Sequence, residues 1–234
     1  MTGPWTEGPR ELLQHAADHL RLGGDFDRRI AMISVDNAVE LAVKTYLGLP
    51  ERVRGAKGPG RKDLEEASES FPALLNLLDQ HAGSRLLGID LGDVEWYHRL
   101  RNQLYHSGNG ITVERAKVEA YLQITLSLFE NLFGERPRID EASAADTKTG
   151  EFLRLWSVFD HGFRAKLPPK EDFAYYWKRN FLEKISVEAA ELWDGLRAFR
   201  NNLVHSLDTP TIADFERRIS ELKRLMQLVG VGAA

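Results

Sequence analysis

The chain has no cysteine in its 234 residues. That removes disulfides, thiolate nucleophiles and cysteine-based zinc sites together. It has no apolar run of membrane-spanning length, and residues 1–8 are polar, without a signal peptide's basic-then-apolar order. No stretch alternates apolar and polar residues as a half-buried strand does. There is no large excess of charge either. The net charge is −4, so a nucleic-acid contact must be local rather than spread over the surface. A cytoplasmic protein is the default expectation, with no membrane partner. What remains is a globular composition, 43% hydrophobic and 28% charged with five Trp, enough for one large or two small domains.

Nearly every segment has helical periodicity. Residues 9–22 predict a helix stopped by Gly23-Gly24. Residues 26–47 are apolar on most faces, the pattern of a central buried helix. One polar stripe interrupts it: Asp36, Asn37, Glu40 and Lys44. Buried, these must be paired. They read as a core network or interface, or, for Asn37 and Glu40, as supports for a functional side chain. Residues 49–62 read as a loop, with five cations in eleven residues: Arg52, Arg54, Lys57, Arg61 and Lys62. The loop is a near miss for a P-loop, with Arg61 in the lysine place and Lys62 in the Ser/Thr place. It reads as a solvated loop or as a contact to an RNA backbone. Residues 63–81 predict one helix that Pro72 kinks or splits.

A helix over 93–107, ended by Gly108 and Gly110, and one over 113–133, capped by Thr112, complete a first domain, 1–134. Residues 135–150 carry Pro137, Ser143 and many charges without apolar periodicity, a linker signature. The second domain, 151–234, is shorter. Its first helix carries Phe152, Leu155, Trp156, Phe159 and Phe163 and breaks at Pro168-Pro169. An aromatic-rich stretch over 172–185 follows, then a helix over 186–206 capped by Ser186, and a last helix over 211–229. Phe173, Tyr175, Tyr176, Trp177 and Phe181 read as core, or as a surface for stacking bases. His15 and His19 are four apart but lack the glutamate and third ligand of a zinc site. No metal and no cofactor is expected.

The most informative feature is a pattern written twice: Arg101-Asn102-Gln103-Leu104-Tyr105-His106-Ser107, then Arg200-Asn201-Asn202-Leu203-Val204-His205-Ser206. Five of the seven positions are identical. At roughly one in twenty per residue, chance is a poor explanation for the second copy. A Trp precedes each copy (Trp96, Trp193), and a turn and another helix follow. Arginine is a permanent planar cation that matches phosphate geometry. Histidine gives or takes a proton near neutral pH. Arg101 and His106, five apart, lie roughly 140° apart around an ideal helix, whereas Asn102 and His106 share a face. Either the last turn loosens so that Arg and His converge, or the other copy completes the site. At a helix C-terminus the dipole favours imidazolium, which suits a group protonating a departing 5′-oxygen. The other His would take the proton of a ribose 2′-OH, and Arg101 and Arg200 would stabilise the phosphoryl charge.

The paired Arg-Asn-x-x-x-His helices resemble the HEPN superfamily. The resemblance covers residues of about 10–134 through the order of helices. Over 150–229 it rests mainly on the motif and the helix after it. It implies an all-α chain of two HEPN-like helical bundle domains forming a pseudo-dimer. It also implies metal-independent endoribonuclease activity, as in toxins or effectors of bacterial conflict systems. Arg101, His106, Arg200 and His205 would be catalytic, supported by Asn102, Asn201, Asn37 and Glu40. Arg52, Arg54, Lys57, Arg61 and Lys62 would contact RNA. The implied partners are RNA, a second copy of the chain as a homodimer, and an antitoxin or sensor protein. Other family members only bind nucleotides or serve in assembly, and that alternative stands beside the first. One branch carries a Tyr two residues after the His. Here those positions are Gly108 and Leu207, so the modification associated with that Tyr is not supported. Asp160 and His161 are loose candidates for second-half equivalents of the polar stripe.

Overall fold

The computed structural model describes residues 3–106, 112–139, 144–167, 175–205 and 210–231, with the side chains of 106, 144–147 and 175–177 left aside. Every regular element among them is helical. The chain divides into two compact units, Met1–Ala142 and Ser143–Ala234. No described helix is long and apolar enough to cross a membrane.

The first unit is built around α1 (Glu7–Leu22), α2 (Asp25–Gly48), α6 (Leu91–His106) and α7 (Arg115–Phe133). Gly23 ends α1 at φ +74, a left-handed conformation that glycine adopts without strain, so the chain reverses at once into α2. The central helix α2 is buried along most of its length, as its apolar pattern predicts. Tyr121 of α7 meets Asp36, and Phe133 meets Tyr46 further along, so α7 runs parallel to α2. On α6, His98 meets Asp36; beyond its C-terminus, Val113 accepts from Arg28 Nε at 3.0 Å. The motif helix is therefore antiparallel to α2, and His106 lies toward the N-terminal end of α2. The result is an up-down-up-down bundle of four helices.

Three boundaries differ from the sequence reading. The predicted loop at 49–62 contains α3 (Glu51–Arg54) and the start of α4 (Arg61–Ala67). The predicted helix at 63–81 is split: α4 ends before Ser70, and α5 (Phe71–Ala82) restarts with Pro72 in its first turn, where proline's missing N–H costs nothing. The last helix of the unit begins at Arg115 with Glu114 as N-cap, not Thr112.

In the second unit, α8 (Ala144–Arg164), α9 (Tyr175–Ile185), α10 (Val187–His205) and α11 (Ile212–Val229) follow in order. The predicted linker at 135–150 is shorter than read. Arg136 donates to Gln123 and Glu135 pairs with Arg10, holding residues 135–136 on the first unit, and Ala144 already begins α8. Ser186 caps α10 by accepting from Ala189 N, and Thr211 caps α11 with Asp214 returning the bond. Lys223 reaches Glu151 near the start of α8, and Val231 packs at Gly162 near its end, so α8 and α11 are parallel. Glu188–Arg224 and Phe199–Phe215 make α10 antiparallel to α11. Thus α8, α10 and α11 repeat the directions of α2, α6 and α7.

Candidate functional site

Asp36 is the hub of the first unit. Its side chain is fully buried on α2. Tyr121 donates its hydroxyl to it at 2.9 Å, and His98 Nδ1 donates to both carboxylate oxygens at 3.0 and 3.2 Å. Arg101 Nε forms an ion pair with it at 3.2 Å. A buried carboxylate needs this many partners, because desolvation would otherwise drive it to neutrality. Burial raises the Tyr121 hydroxyl well above its ordinary pKa of 10.0, and the Asp36 charge adds to the effect. Tyr121 therefore stays a donor through the physiological range. Tyr97 stacks on Tyr121, and Phe71 stacks on the His98 imidazole, fixing both rings.

Arg101 is held from three sides. Besides Asp36, its Nη2 donates to Asn37 Oδ1 at 2.7 Å and its Nη1 to Asn102 Oδ1 at 2.9 Å. The guanidinium carries five N–H groups. Each Nη keeps one N–H not taken by these asparagines, while the side chain remains 19% exposed. Its guanidinium also lies over the Tyr105 ring, 5.8 Å from the centroid. Of the expected supporting residues, Asn37 and Asn102 accept from Arg101, whereas the Glu40 carboxylate accepts from Lys44 of its own helix at 2.6 Å. The helix stays regular through His106, so the loosening that would let one copy converge alone does not occur up to that residue. Ser107, Gly108 and Gly110 lie outside the described residues, as does the His106 side chain.

In the second copy, Arg200 and Asn201 are half-buried and His205 is exposed, all on α10. Leu104 and Leu203 are both buried, and Val94 and Trp193, each seven before its Arg, are buried too. Trp96 is five before Arg101, so the two Trp residues are not equivalent. Asp160 and His161 are not equivalents of the stripe on α2. Asp160 lies farther along α8 and is engaged by Lys178 at 3.1 Å and Arg164 at 2.6 Å, while His161 is exposed. Behind the second motif helix the described packing is aromatic: Phe152 meets Phe199 edge-on at 4.9 Å, and Phe199 meets Phe215 at 5.6 Å.

The basic loop divides. Arg54 is buried, with Nη1 donating to Leu47 O and Nε to Ala56 O, both at 3.2 Å. It cannot contact RNA; it caps the C-terminal end of α2. A Cβ at Gly58 would fall on its guanidinium, so glycine there makes room for a buried arginine rather than for a phosphate. Arg61 and Lys62 are exposed but paired with Glu65 and Glu66 one turn on. Arg52 and Lys57 are exposed. Five cations within residues 51–69 face five carboxylates, which leaves little net field for RNA. His19 pairs with Asp27 at 2.9 Å while His15 packs edge-on against it. Phe181 packs on Phe163; Phe173 and the side chains of Tyr175, Tyr176 and Trp177 lie outside the described residues.

Sequence reasoning assigned no role to His98 or Tyr121. His98 stands one helical turn before Arg101, a usable signal. Tyr121, in a helix apolar on most sides, reads as core. No family model matches the chain, and no curated protein or solved structure matches it.

Proposed function

We propose that the chain is a metal-independent endoribonuclease of HEPN type, acting as a toxin or effector in a bacterial conflict system. The observation that carries this reading is the duplicated Arg-Asn-x-x-x-His pattern, each copy at the C-terminal end of a helix in the same place of two similarly ordered bundles. Arg101 is fixed by Asp36, Asn37 and Asn102. It can turn one N–H of each Nη toward two phosphoryl oxygens, the bidentate geometry arginine favours. Such a preorganised donor stabilises charge that builds on phosphorus in the transition state. One His removes the proton of the 2′-OH and the other protonates the leaving 5′-oxygen. The new P–O2′ bond forms as the P–O5′ bond breaks, leaving a 2′,3′-cyclic phosphate and a 5′-hydroxyl. DNA lacks the nucleophile and is inert.

A second reading has an observation of its own. The charge of Arg101 is matched by a buried carboxylate, as for an arginine whose role is structural. The chain would then be a HEPN-like module that binds RNA or a nucleotide, or serves assembly, without cleaving. Incubation with total RNA in EDTA separates the two. The first reading expects cleavage with 2′,3′-cyclic phosphate ends. Strict dependence on Mg²⁺ or Mn²⁺ would overturn the mechanism, and intact RNA bound by the protein would favour the second reading.

A further inference from the structure

Two exposed aromatic rings of the first unit each carry an arginine. Tyr105 is 66% exposed beneath Arg101, and Phe26 is 61% exposed beneath Arg29, whose guanidinium lies 5.9 Å from the ring centroid. Rings of this size are normally tucked away in a folded protein, and contiguous exposed ones mark contact surfaces.

The fold places the two pairs at one end of the bundle. Eleven residues separate Phe26 from Asn37, and seven separate Arg29 from Asp36. Each spacing returns to within about 20° of the same line along a helix. The face of α2 that holds Arg101 therefore continues directly to Arg29 and Phe26, roughly 10 to 17 Å along the axis. Because α6 is antiparallel to α2, Tyr105, one turn past Arg101, advances toward the same end by roughly 6 Å. The Arg28–Val113 bond ties the N-terminal turn of α2 to the segment that follows the motif helix. The carboxylates of that turn are already engaged: Asp25 pairs with Arg28 and Asp27 with His19.

We propose that Tyr105–Arg101 and Phe26–Arg29 form a track for single-stranded RNA flanking His106, in which bases stack on the two rings and phosphates lie against the two guanidiniums. The proposal rests on the ribonuclease reading and supplies the strand-holding surface it needs. Single-stranded RNA is the occupant favoured by the chemistry. Stacking on an aromatic ring is open to every base and needs it unpaired, and alternating cations with rings matches the alternation of phosphate and base. Protein interfaces also use aromatic and arginine side chains; they do not call for a preference for unpaired over paired nucleic acid, which the test below reads. The second unit lacks the ring: the counterpart of Tyr105 is Val204, fully buried. The track is thus a property of the first copy alone.

The test is fluorescence anisotropy with a cleavage-resistant, 2′-O-methylated RNA of about twelve nucleotides, single-stranded or annealed to its complement. The native chain should prefer the single strand. Tyr105→Ala and Phe26→Ala should each weaken binding by about five- to 150-fold, the range for loss of one stacked base. Tyr105→Phe should bind nearly as the native chain does. Arg29→Gln should weaken binding and make the salt dependence shallower by about 0.7 in log–log slope, one phosphate's worth. Both rings are exposed, so melting temperatures should hold. Single-strand binding unchanged in both alanine variants would overturn the track, even with RNA cleavage intact. Equal affinity for duplex would also overturn it. Self-association of the native chain, lost in Phe26→Ala without change in RNA binding, would assign the surface to a second copy instead. Weakened binding in the variants together with no cleavage by the native chain would uphold the track while the ribonuclease reading fails.

Discussion

The two units place the same seven-residue pattern on helices of the same order within each unit, yet the described interiors behind those helices differ. In the first, the bundle interior behind the motif is polar: Asp36 gathers Tyr121, His98 and Arg101. In the second, Phe152, Phe199 and Phe215 pack together behind the motif helix, and the buried carboxylate Asp160 serves Lys178 and Arg164 instead. A charge network around a buried carboxylate fixes the position of its members but contributes little net stability. An aromatic cluster contributes more stability through packing, and here the Phe199 ring also carries the Arg218 guanidinium, 5.5 Å from its centroid. The first copy backs its motif helix with a buried carboxylate, the second with packed rings.

The largest expected effect sets Asp36 against its non-equivalents. Asp36→Ala should cost about 3–5 kcal/mol, the range for breaking a buried pair and leaving charge unpaired. Phe152→Ala should cost a similar ~3–5 kcal/mol through the cavity it leaves. Asp160→Ala should cost less than either, because its cations can turn toward water. Denaturant melts of the three variants check the order, and a cost for Asp160→Ala equal to that for Asp36→Ala would break the comparison.

Tyr121 gives a smaller, pH-dependent effect. Tyr121→Phe should cost about 1–3 kcal/mol by leaving Asp36 short of a donor. The hydroxyl's pKa is raised in the folded state, so its contribution is fully present below the unfolded value near 10 and is lost as pH rises above it. Native stability should therefore fall above about pH 10, and that fall should be shallower in Tyr121→Phe. The smallest effect compares the last helix of each unit. Thr211→Ala should cost about 1 kcal/mol, since its hydroxyl accepts from Asp214 N. Thr112→Ala should change stability by less than about 0.5 kcal/mol, because α7 is entered through Glu114.

The helices and the two-part division were legible because periodicity is local, and Gly23 and Ser186 mark their boundaries with side-chain or backbone chemistry of their own. Asn37 was legible as a residue in need of a partner, because a polar group on a buried helix must be paired. The choice of partner was not. Glu40 finds Lys44 one turn away, and nothing in one sequence says whether a near or a distant cation wins. Arg54 failed for the same reason. A basic loop reads as solvated, and only the packed structure shows one of its arginines turned inward onto helix carbonyls. The Asp36–Tyr121 bond joins residues 85 apart, beyond the reach of spacing arguments.

The central claim is that the two copies serve one reaction. Single-turnover cleavage of a defined single-stranded RNA should be measured for the native chain, His106→Ala, His205→Ala and the double variant. Each single substitution should lower the rate by about 10²–10⁴-fold, the worth of a proton-transfer group. The double variant should fall little further, because groups acting as a unit are not additive. Melting temperature should hold in His205→Ala, whose side chain is exposed. If each single variant instead keeps about half the native rate and only the double variant is inactive, the copies are two separate sites and the account is contradicted.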